Sequence, residues 1–374
     1  MAEGKVREFF PGGNTSLGFF SYYDYLVPPD AARIMIIKGG PGVGKSSFMK
    51  ALAAEMRERG FDVEFHHCSS DNNSLDGVVF PLIKVALMDG TSPHMVDPRH
   101  PGAVDEIIHL GDYWDEKGIR RSRTEIIELN REIGRNFRRA YQYLKAAKNV
   151  YDDLEAINSE GLAIGRANQI AAEVIEDLFS QNHVTENLGA LRKLFASAIT
   201  PEGFQNFLTN LLDPLPKVVA LTGSVGTGKA TLLNKIATAA LERGFYCEGY
   251  YCAFDPYKLE HLIIPDLGVA FTTSVKPHCY PMGKVNQEIN MDQCVAPYIL
   301  TKYGKVIEDE NRLIDDLFES AIEFIARAKS LHDQMEEYYI PNMNFTAITE
   351  LRKVILERIL EHASEEEPIT NRAM

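Results

Sequence analysis

The chain has 374 residues, a length that predicts two or three domains rather than one small module. Hydrophobic residues make up 45% and charged residues 25%, the composition of a folded globular protein. With 39 Lys and Arg against 53 Asp and Glu, the formal net charge is -14. This charge disfavours nonspecific binding to nucleic acid or to an anionic membrane surface, because like charges repel.

The cysteine pattern and the hydropathy exclude two further classes of protein. The 5 cysteines are odd in number and lack CxxC spacing, so they indicate neither a disulfide framework nor a zinc ribbon. No apolar run approaches the roughly 18 residues of a membrane span, and no apolar h-region precedes the first strand. We therefore expect a cytoplasmic protein without a membrane partner.

The second half of the chain repeats the first. Residues 33–94 align without a gap with residues 217–278, and 18 of these 62 positions are identical. The period is far longer than that of solenoid repeats, so the pattern indicates a duplicated domain. We predict two domains, 1–184 and 185–374.

Each half begins with elements that are typical of an α/β fold. An apolar, β-branched run at 34–37 or 218–221 predicts a strand. A glycine-rich turn follows, and apolar residues at four-residue spacing then predict a helix. Further apolar runs at 85–88 and 269–271 predict another strand, and this βαβ order implies a parallel sheet.

Each half ends in a long amphipathic helical region. Apolar residues from Ile126 to Leu154, and again from Leu317 to Met335, recur at spacings near three, four and seven. We expect these stripes to pack helix on helix within one molecule. A coiled-coil interface between two copies of the chain is the alternative.

Residues 39–46 read GGPGVGKS and match G-x-x-x-x-G-K-[ST] between a predicted strand and a predicted helix. The glycines let successive N–H groups turn inward and form an anion-binding nest at the start of the helix. Lys45 would meet the β- and γ-phosphates, the Ser46 hydroxyl would coordinate Mg²⁺, and Ser47 would reach the α-phosphate. The expected nucleotide-binding residues are Gly39, Gly40, Pro41, Gly42, Val43, Gly44, Lys45, Ser46 and Ser47.

A magnesium site of this kind also needs a carboxylate. Asp89 ends a buried apolar run and is the first candidate, although Asp-Gly dipeptides are also common in turns. Asp71, predicted at the end of the second strand, is the competing carboxylate and a candidate base toward water or an acceptor hydroxyl. Asp255 matches it in the second half, so a structural role common to both halves is the alternative.

A basic cluster, GIRRSR, precedes the first long helix. It contains Arg121, the candidate for a lid cation that stabilises charge on a transferred phosphate. A solvated helix face is the alternative. The candidate catalytic residues are thus Lys45, Asp71, Asp89 and Arg121, and the candidate metal ligands are Ser46 and Asp89.

The second loop, residues 223–230, reads GSVGTGKA and is degenerate. Ala230 stands where the first loop has Ser46, and alanine cannot coordinate Mg²⁺. Thr273 replaces Asp89 in the same way. We predict that this copy binds nucleotide weakly or holds it without turnover. Its expected nucleotide-binding residues are Gly223, Gly226, Gly228, Lys229 and Thr231.

These motifs resemble the P-loop NTPase superfamily, and the tandem layout looks like a group of bacterial ATP-binding proteins with two P-loop halves. The resemblance is specific at Gly39–Ser47, weaker at Asp89, and leaves the helical parts unassigned. It implies an α/β fold with two tandem three-layer α/β/α domains, each with a mostly parallel sheet and an appended helical part. It also implies ATP and Mg²⁺ as cofactors, with hydrolysis or phosphoryl transfer as the reaction.

The absence of two motifs narrows the expected activity. No [NT]KxD motif follows the first loop and no LSGGQ-type signature is present, which disfavours a GTPase and an ABC ATPase and leaves ATP as the expected nucleotide. We expect ATP hydrolysis at the first loop, with the second half as a regulatory copy. Two alternatives stay open: a kinase acting on a small molecule or nucleotide, and a non-enzymatic module in which ATP orders the helical parts for a protein partner.

Overall fold

The structure is a computed structural model and describes residues 2–27, 30–91, 95–181 and 184–366. The elements of the first half are, in chain order, β1 (Val6–Phe9), β2 (Gly12–Thr15), β3 (Gly18–Ser21), β4 (Arg33–Lys38), α1 (Lys45–Glu58), β5 (Val63–Cys68), β6 (Asp71–Phe80), β7 (Val85–Asp89), β8 (Asp105–His109), α2 (Glu116–Arg121), α3 (Arg123–Glu160) and α4 (Ile164–Phe179). Those of the second half are β9 (Ala190–Leu194), β10 (Ser197–Thr200), β11 (Gly203–Asn206), α5 (Leu208–Leu212), β12 (Lys217–Thr222), α6 (Lys229–Glu242), β13 (Tyr246–Tyr251), β14 (Leu259–Ile264), β15 (Val269–Thr273), β16 (Gln287–Asn290), α7 (Tyr298–Tyr339) and α8 (Phe345–Glu366).

The chain forms two compact units that do not follow the order of the sequence. Unit 1 comprises Met1–Pro11, Tyr23–Asn136 and Arg327–Met374, and unit 2 comprises Gly12–Tyr22 and Phe137–Ala326. The last residues of α3 therefore belong to unit 2, and the last residues of α7 belong to unit 1. The predicted boundary at residue 184 marks the duplication of the sequence, whereas each compact unit includes helical residues from the other half.

Unit 1 contains a six-stranded sheet in the order β1-β5-β6-β7-β4-β8. β1 is parallel to β5, and β4 is parallel to β7 and β8, whereas β6 is antiparallel to both of its neighbours. The sheet is thus mixed: five strands are parallel to one another, and the sixth, β6, is an antiparallel strand that the predicted βαβ order did not include. β6 reverses direction because only residues 69–70 separate it from β5, and a parallel crossover needs a dozen or more residues.

Unit 2 contains the same arrangement. Its six-stranded sheet has the order β9-β13-β14-β15-β12-β16, and β14 is the antiparallel strand. The duplicated sequence therefore produces the same mixed sheet twice, which confirms an α/β fold in both units.

The direction of β6 decides where Asp71 lies. Asp71 is the first residue of β6 rather than the last residue of the preceding strand, and it pairs with Cys68 at the end of β5. Because β6 is antiparallel, its first residue lies at the same edge of the sheet as the last residue of β7, Asp89. Asp71 thus lies at the predicted edge of the sheet, but at the start of β6 rather than at the end of the preceding strand.

The core of unit 1 lies between its sheet and the helices α1 and α8. Leu52 and Met56 of α1 share one buried cluster with Leu87 of β7 and Ile359 of α8. The predicted four-residue spacing of α1 is confirmed. Gly60, two residues beyond the helix, has a φ of 91° and ends it in the left-handed conformation that glycine favours.

The predicted long helices are confirmed as α3 and α7. In unit 2, Ala140 and Leu144 of α3 are fully buried in one cluster with Ala321 and Ile325 of α7. The stripes therefore pack helix on helix within the molecule, and the alanines allow a close approach. Over the ranges that the structure describes, none of the helices is both long enough and apolar enough to cross a bilayer.

Truncation of Leu52 to alanine is expected to destabilise unit 1 by about 2–5 kcal/mol, because it leaves a cavity in a close-packed core. Urea unfolding followed by the fluorescence of Trp114 measures this loss, since the chain has 1 tryptophan and it lies in unit 1. Leu82→Ala, at a side chain that is 74% exposed, is the control and should change stability by less than about 0.5 kcal/mol. Equal effects of the two substitutions would contradict the assigned core.

Candidate functional site

The first glycine-rich loop, residues 39–46, connects β4 to α1. Gly42 has a φ of 64° and Gly44 a φ of 89°, both in the left-handed region that glycine enters without strain. Gly44 directly precedes α1. The loop therefore curls around the N-terminus of a 14-residue helix.

Five successive backbone N–H groups at this helix start, those of Val43–Ser47, donate no hydrogen bond to any residue that the structure describes. Phe48 is the first residue whose N–H is satisfied within the helix, at 2.8 Å from the carbonyl oxygen of Gly44. Unpaired N–H groups at a helix N-terminus carry partial positive charge and favour phosphate. The loop thus has the donors that an anion needs.

The side chain of Lys45 bends back over the loop. Its Nζ donates to the carbonyl oxygens of Gly39, at 3.1 Å, and Gly40, at 2.9 Å, and lies 3.6 Å from Oδ2 of Asp89. Oδ1 of Asp89 accepts from the N–H of Thr91 at 2.8 Å. Asp89 therefore closes a turn, the alternative interpretation of the sequence, and its other carboxylate oxygen lies next to Lys45. Its role as a Mg²⁺ ligand stays a prediction.

Ser46 is held by the neighbouring strand β6. Its Oγ accepts from the N–H of Leu75 at 3.0 Å, which leaves its own proton and a second lone pair for another partner. Asp76, the next residue of β6, is only 3% exposed. The antiparallel register that places Gly77 opposite Met88 places Asp76 beside Asp89.

Sequence analysis missed Asp76 because β6 was not recognised as a strand. The signal that could have found it is Glu260, the acidic residue that matches it in the second half. An acid is kept at this position in both halves, although Asp89 is replaced.

The donor set of unit 1 fits a nucleotide-bound Mg²⁺ better than a metal held by protein alone. Within the described ranges, no three or more His, Cys, Asp or Glu side chains form a group that could hold a metal ion. Mg²⁺ in phosphate sites takes only one or two protein ligands and completes its shell with water and phosphate oxygens. Ser46 and Asp89 supply that number.

Asp71 is held by partners on two elements. It accepts from the hydroxyl of Ser74 at 2.8 Å and forms an ion pair with Lys329 of α7 at 3.4 Å. In unit 2, Lys148 of α3 forms the matching ion pair with Asp255 at 3.3 Å. Because the pair recurs, it favours an anchoring role for Asp71 over the role of a free base.

The last turns of α7 contact the first loop directly. Oε1 of Glu336 accepts from the N–H of Gly42 at 3.2 Å. A Cβ on Gly40 would lie 2.8 Å from the ring of Tyr339, so any larger residue there would have to displace this ring. Sequence analysis assigned no role to either α7 residue; the available signal was that Glu336 and Glu155 occupy matching positions in the two long helices.

His332 lies one turn before Glu336 on the same helix face. Burial lowers the pKa of His332, and the ammonium groups of Lys329 and Lys45 lower it further, while the carboxylate of Glu336 opposes them. The lowered pKa favours the uncharged imidazole of His332 at neutral pH.

Arg121 ends α2 and is exposed. No hydrogen bond or ion pair joins it to the first loop in the part of the chain that is described. The neighbouring Arg120 pairs with Glu116 on the same helix at 2.9 Å. This placement favours the solvated helix face over the lid.

The second glycine-rich loop, residues 223–230, repeats the backbone of the first. Its left-handed glycines, with their φ angles, are Gly223 (123°), Gly226 (77°) and Gly228 (91°). The N–H groups of Thr227–Thr231 donate no hydrogen bond to residues within the described ranges. Nζ of Lys229 donates to the carbonyl oxygens of Gly223, at 2.5 Å, and Ser224, at 2.6 Å.

The side chains around the second loop differ in charge from those around the first. Lys258 forms an ion pair with Glu155 of α3, and burial together with the ammonium of Lys258 lowers the pKa of Lys229 to about 8. Burial raises the pKa of Glu260 to about 7. Glu260 lies beside Thr273 in the register that places His261 opposite Thr272. Unit 2 thus has a second lysine, Lys258, near its loop lysine, and it has Thr273 beside Glu260 where unit 1 has Asp89 beside Asp76.

Comparison with known proteins identifies no relative: no family model, no curated protein and no solved structure matches the chain.

Replacing Glu260 with glutamine is expected to remove a pH-dependent loss of stability. The folded pKa of about 7 lies above the ordinary value of 4.5, so the folded chain binds the proton more tightly and stability falls as pH rises between these values. E260Q should therefore exceed the wild type by about 1–3 kcal/mol at pH 8 and match it near pH 4.5. Urea unfolding at the two pH values measures the difference. The control is E242Q, at an exposed residue of the same unit, and an equal effect of E260Q at both pH values would contradict the raised pKa.

Proposed function

We propose that unit 1 binds ATP with Mg²⁺ at the first glycine-rich loop and hydrolyses the terminal phosphoanhydride bond. The observation that supports this best is the run of unpaired N–H groups over Val43–Ser47, beside the ammonium of Lys45. A triphosphate carries the negative charge that these dipoles and this cation offset. The buried sheet beneath them keeps the donors in place.

Each side chain of the loop has a separate task in this proposal. Lys45 now donates to two neutral carbonyl oxygens, and a phosphate oxygen would replace them with a stronger, charge-assisted acceptor. Ser46 and Asp89 would hold Mg²⁺, and the carboxyl group of Asp76 lies beside Asp89 at the same edge of the sheet. The bound ion would offset charge that develops on the phosphate oxygens during cleavage.

The second loop is proposed to bind nucleotide without turnover and to regulate the first. Its backbone has the same unpaired donors, and Lys229 occupies the position of Lys45. Ala230 has no hydroxyl in place of that of Ser46, and Thr273 has no carboxylate in place of that of Asp89, so this loop lacks both proposed Mg²⁺ ligands of the first.

A non-enzymatic module that ATP controls is the second candidate. It is favoured by the contacts of Glu336 and Tyr339 with the loop, because a bound nucleotide would act directly on α7. The kinase alternative depended on Asp71 as a base and Arg121 as a lid. Asp71 is ion-paired and Arg121 is exposed, so neither position favours a kinase.

Replacing Lys45 with alanine is expected to weaken Mg-ATP binding by about 10- to 100-fold, the loss of one hydrogen-bonded charge, and to abolish phosphate release. Calorimetry measures the affinity and a phosphate assay measures the release. Lys229→Ala, at the matching position of the second loop, is the control and should retain Mg-dependent release. Phosphate release by K45A at the wild-type rate would refute the proposed site, and tight binding without release in the wild type would favour the second candidate.

Replacing Ser46 with alanine is expected to raise the Mg²⁺ concentration for half-maximal phosphate release by about tenfold or more, because a metal ligand is lost. Titration of Mg²⁺ at saturating ATP measures this shift. Ser47→Ala is the matched control, since Ser47 would contact the α-phosphate and not the metal. A shift of the same size in both variants would argue against Ser46 as a ligand.

A further inference from the structure

Glu336 places a negative charge where the proposed ligand also carries one. Its Oε1 lies 3.2 Å from the nitrogen of Gly42, and its Cβ lies 3.1 Å from where a Cβ on Gly42 would be. No other side chain in the described ranges accepts a hydrogen bond from the N–H groups of residues 42–47. The carboxylate thus holds one loop donor while the next five remain unpaired.

The order of the N–H donors along the loop indicates which phosphate of a bound nucleotide would lie next to Glu336. In the proposed site Ser47 reaches the α-phosphate and Lys45 reaches the next two, so the phosphate chain runs from the helix back toward Gly42. In that arrangement a diphosphate would end within the donors of Val43–Ser47, and a third phosphate would extend to the N–H of Gly42.

We propose that Glu336 is a specificity-determining residue of the first loop that distinguishes a nucleoside triphosphate from a diphosphate. This inference rests on the proposed nucleotide site. The carboxylate and the terminal phosphate compete for the N–H of Gly42, because one donor cannot serve both and the two anions repel in a partly buried site. ATP therefore displaces Glu336, whereas ADP leaves it in place.

A movement of Glu336 would also move the aromatic side chains of unit 1 that pack next to the loop. Tyr339 lies one turn further along α7 and packs against Gly40. Its ring centroid is 6.4 Å from that of Trp114. The chain contains 1 tryptophan, Trp114. Its fluorescence therefore reports a shift of the last turn of α7 without any added label.

The test compares Glu336→Gln with the parent in the full-length chain, in a Lys229→Ala background that weakens the second loop. Calorimetry with Mg²⁺ measures the affinities of ADP and of the β,γ-imido analogue of ATP, which share the base and differ at the terminal phosphate. We expect E336Q to bind the imido analogue about tenfold more tightly and ADP with less than about a twofold change, because only one like-charge contact is removed. In the parent, the imido analogue should change Trp114 emission and ADP should not.

Glu337→Gln is the matched control, since it removes the same charge from an exposed neighbouring residue, and both affinities should stay at the parent values. Equal tightening toward both nucleotides, no tightening, or an equal emission change with ADP would overturn the role of Glu336 while leaving the nucleotide site intact. Weaker binding of the imido analogue by E336Q would make Glu336 a ligand rather than a competitor and would also overturn it. If neither nucleotide binds the parent, or if Lys45→Ala binds as well as the parent, the nucleotide site itself fails.

Discussion

The run of unpaired N–H groups at the start of α1 is the constraint on which the proposed chemistry depends. Left-handed glycines at 42 and 44 turn the chain so that the donors of Val43–Ser47 lie together. Polar groups that the protein leaves unpaired are costly unless water or a ligand satisfies them. Lys45 adds a cation next to these fixed dipoles, so both features favour an anionic ligand, such as the proposed phosphate chain.

The duplicated loops show that a conserved backbone can carry different electrostatics. Both loops have left-handed glycines, a run of N–H groups that donate to none of the described residues, and a lysine that bends back over the loop carbonyls. The first loop lies beside two acids, Asp76 and Asp89, which suits a divalent cation. The second loop lies beside Glu260, and burial together with the ammonium of Lys258 lowers the pKa of Lys229. The side chains around the loops, rather than the backbone, therefore separate the proposed catalytic copy from the proposed regulatory one.

The two long helices bring residues from one half of the sequence to the loop of the other half. Lys329 of α7 pairs with Asp71 in unit 1, and Lys148 of α3 pairs with Asp255 in unit 2. These ion pairs are partly exposed, so each contributes little stability alone. Their recurrence in both units indicates a common structural role for the matching aspartates, one that does not depend on Ser46 or Asp89, which the second half replaces with Ala230 and Thr273.

The sequence by itself determined the features that depend on neighbouring residues. The glycine-rich loops, α1, the long helices and the duplication follow from local spacing, because turns and amphipathic helices are set by residues a few positions apart. The strand β6 was missed because its first residues are polar, and Asp76 was missed with it. Only the tertiary structure decided that Glu336 meets Gly42, since the two residues are 294 positions apart and no local pattern encodes a contact made through packing of a distant helix.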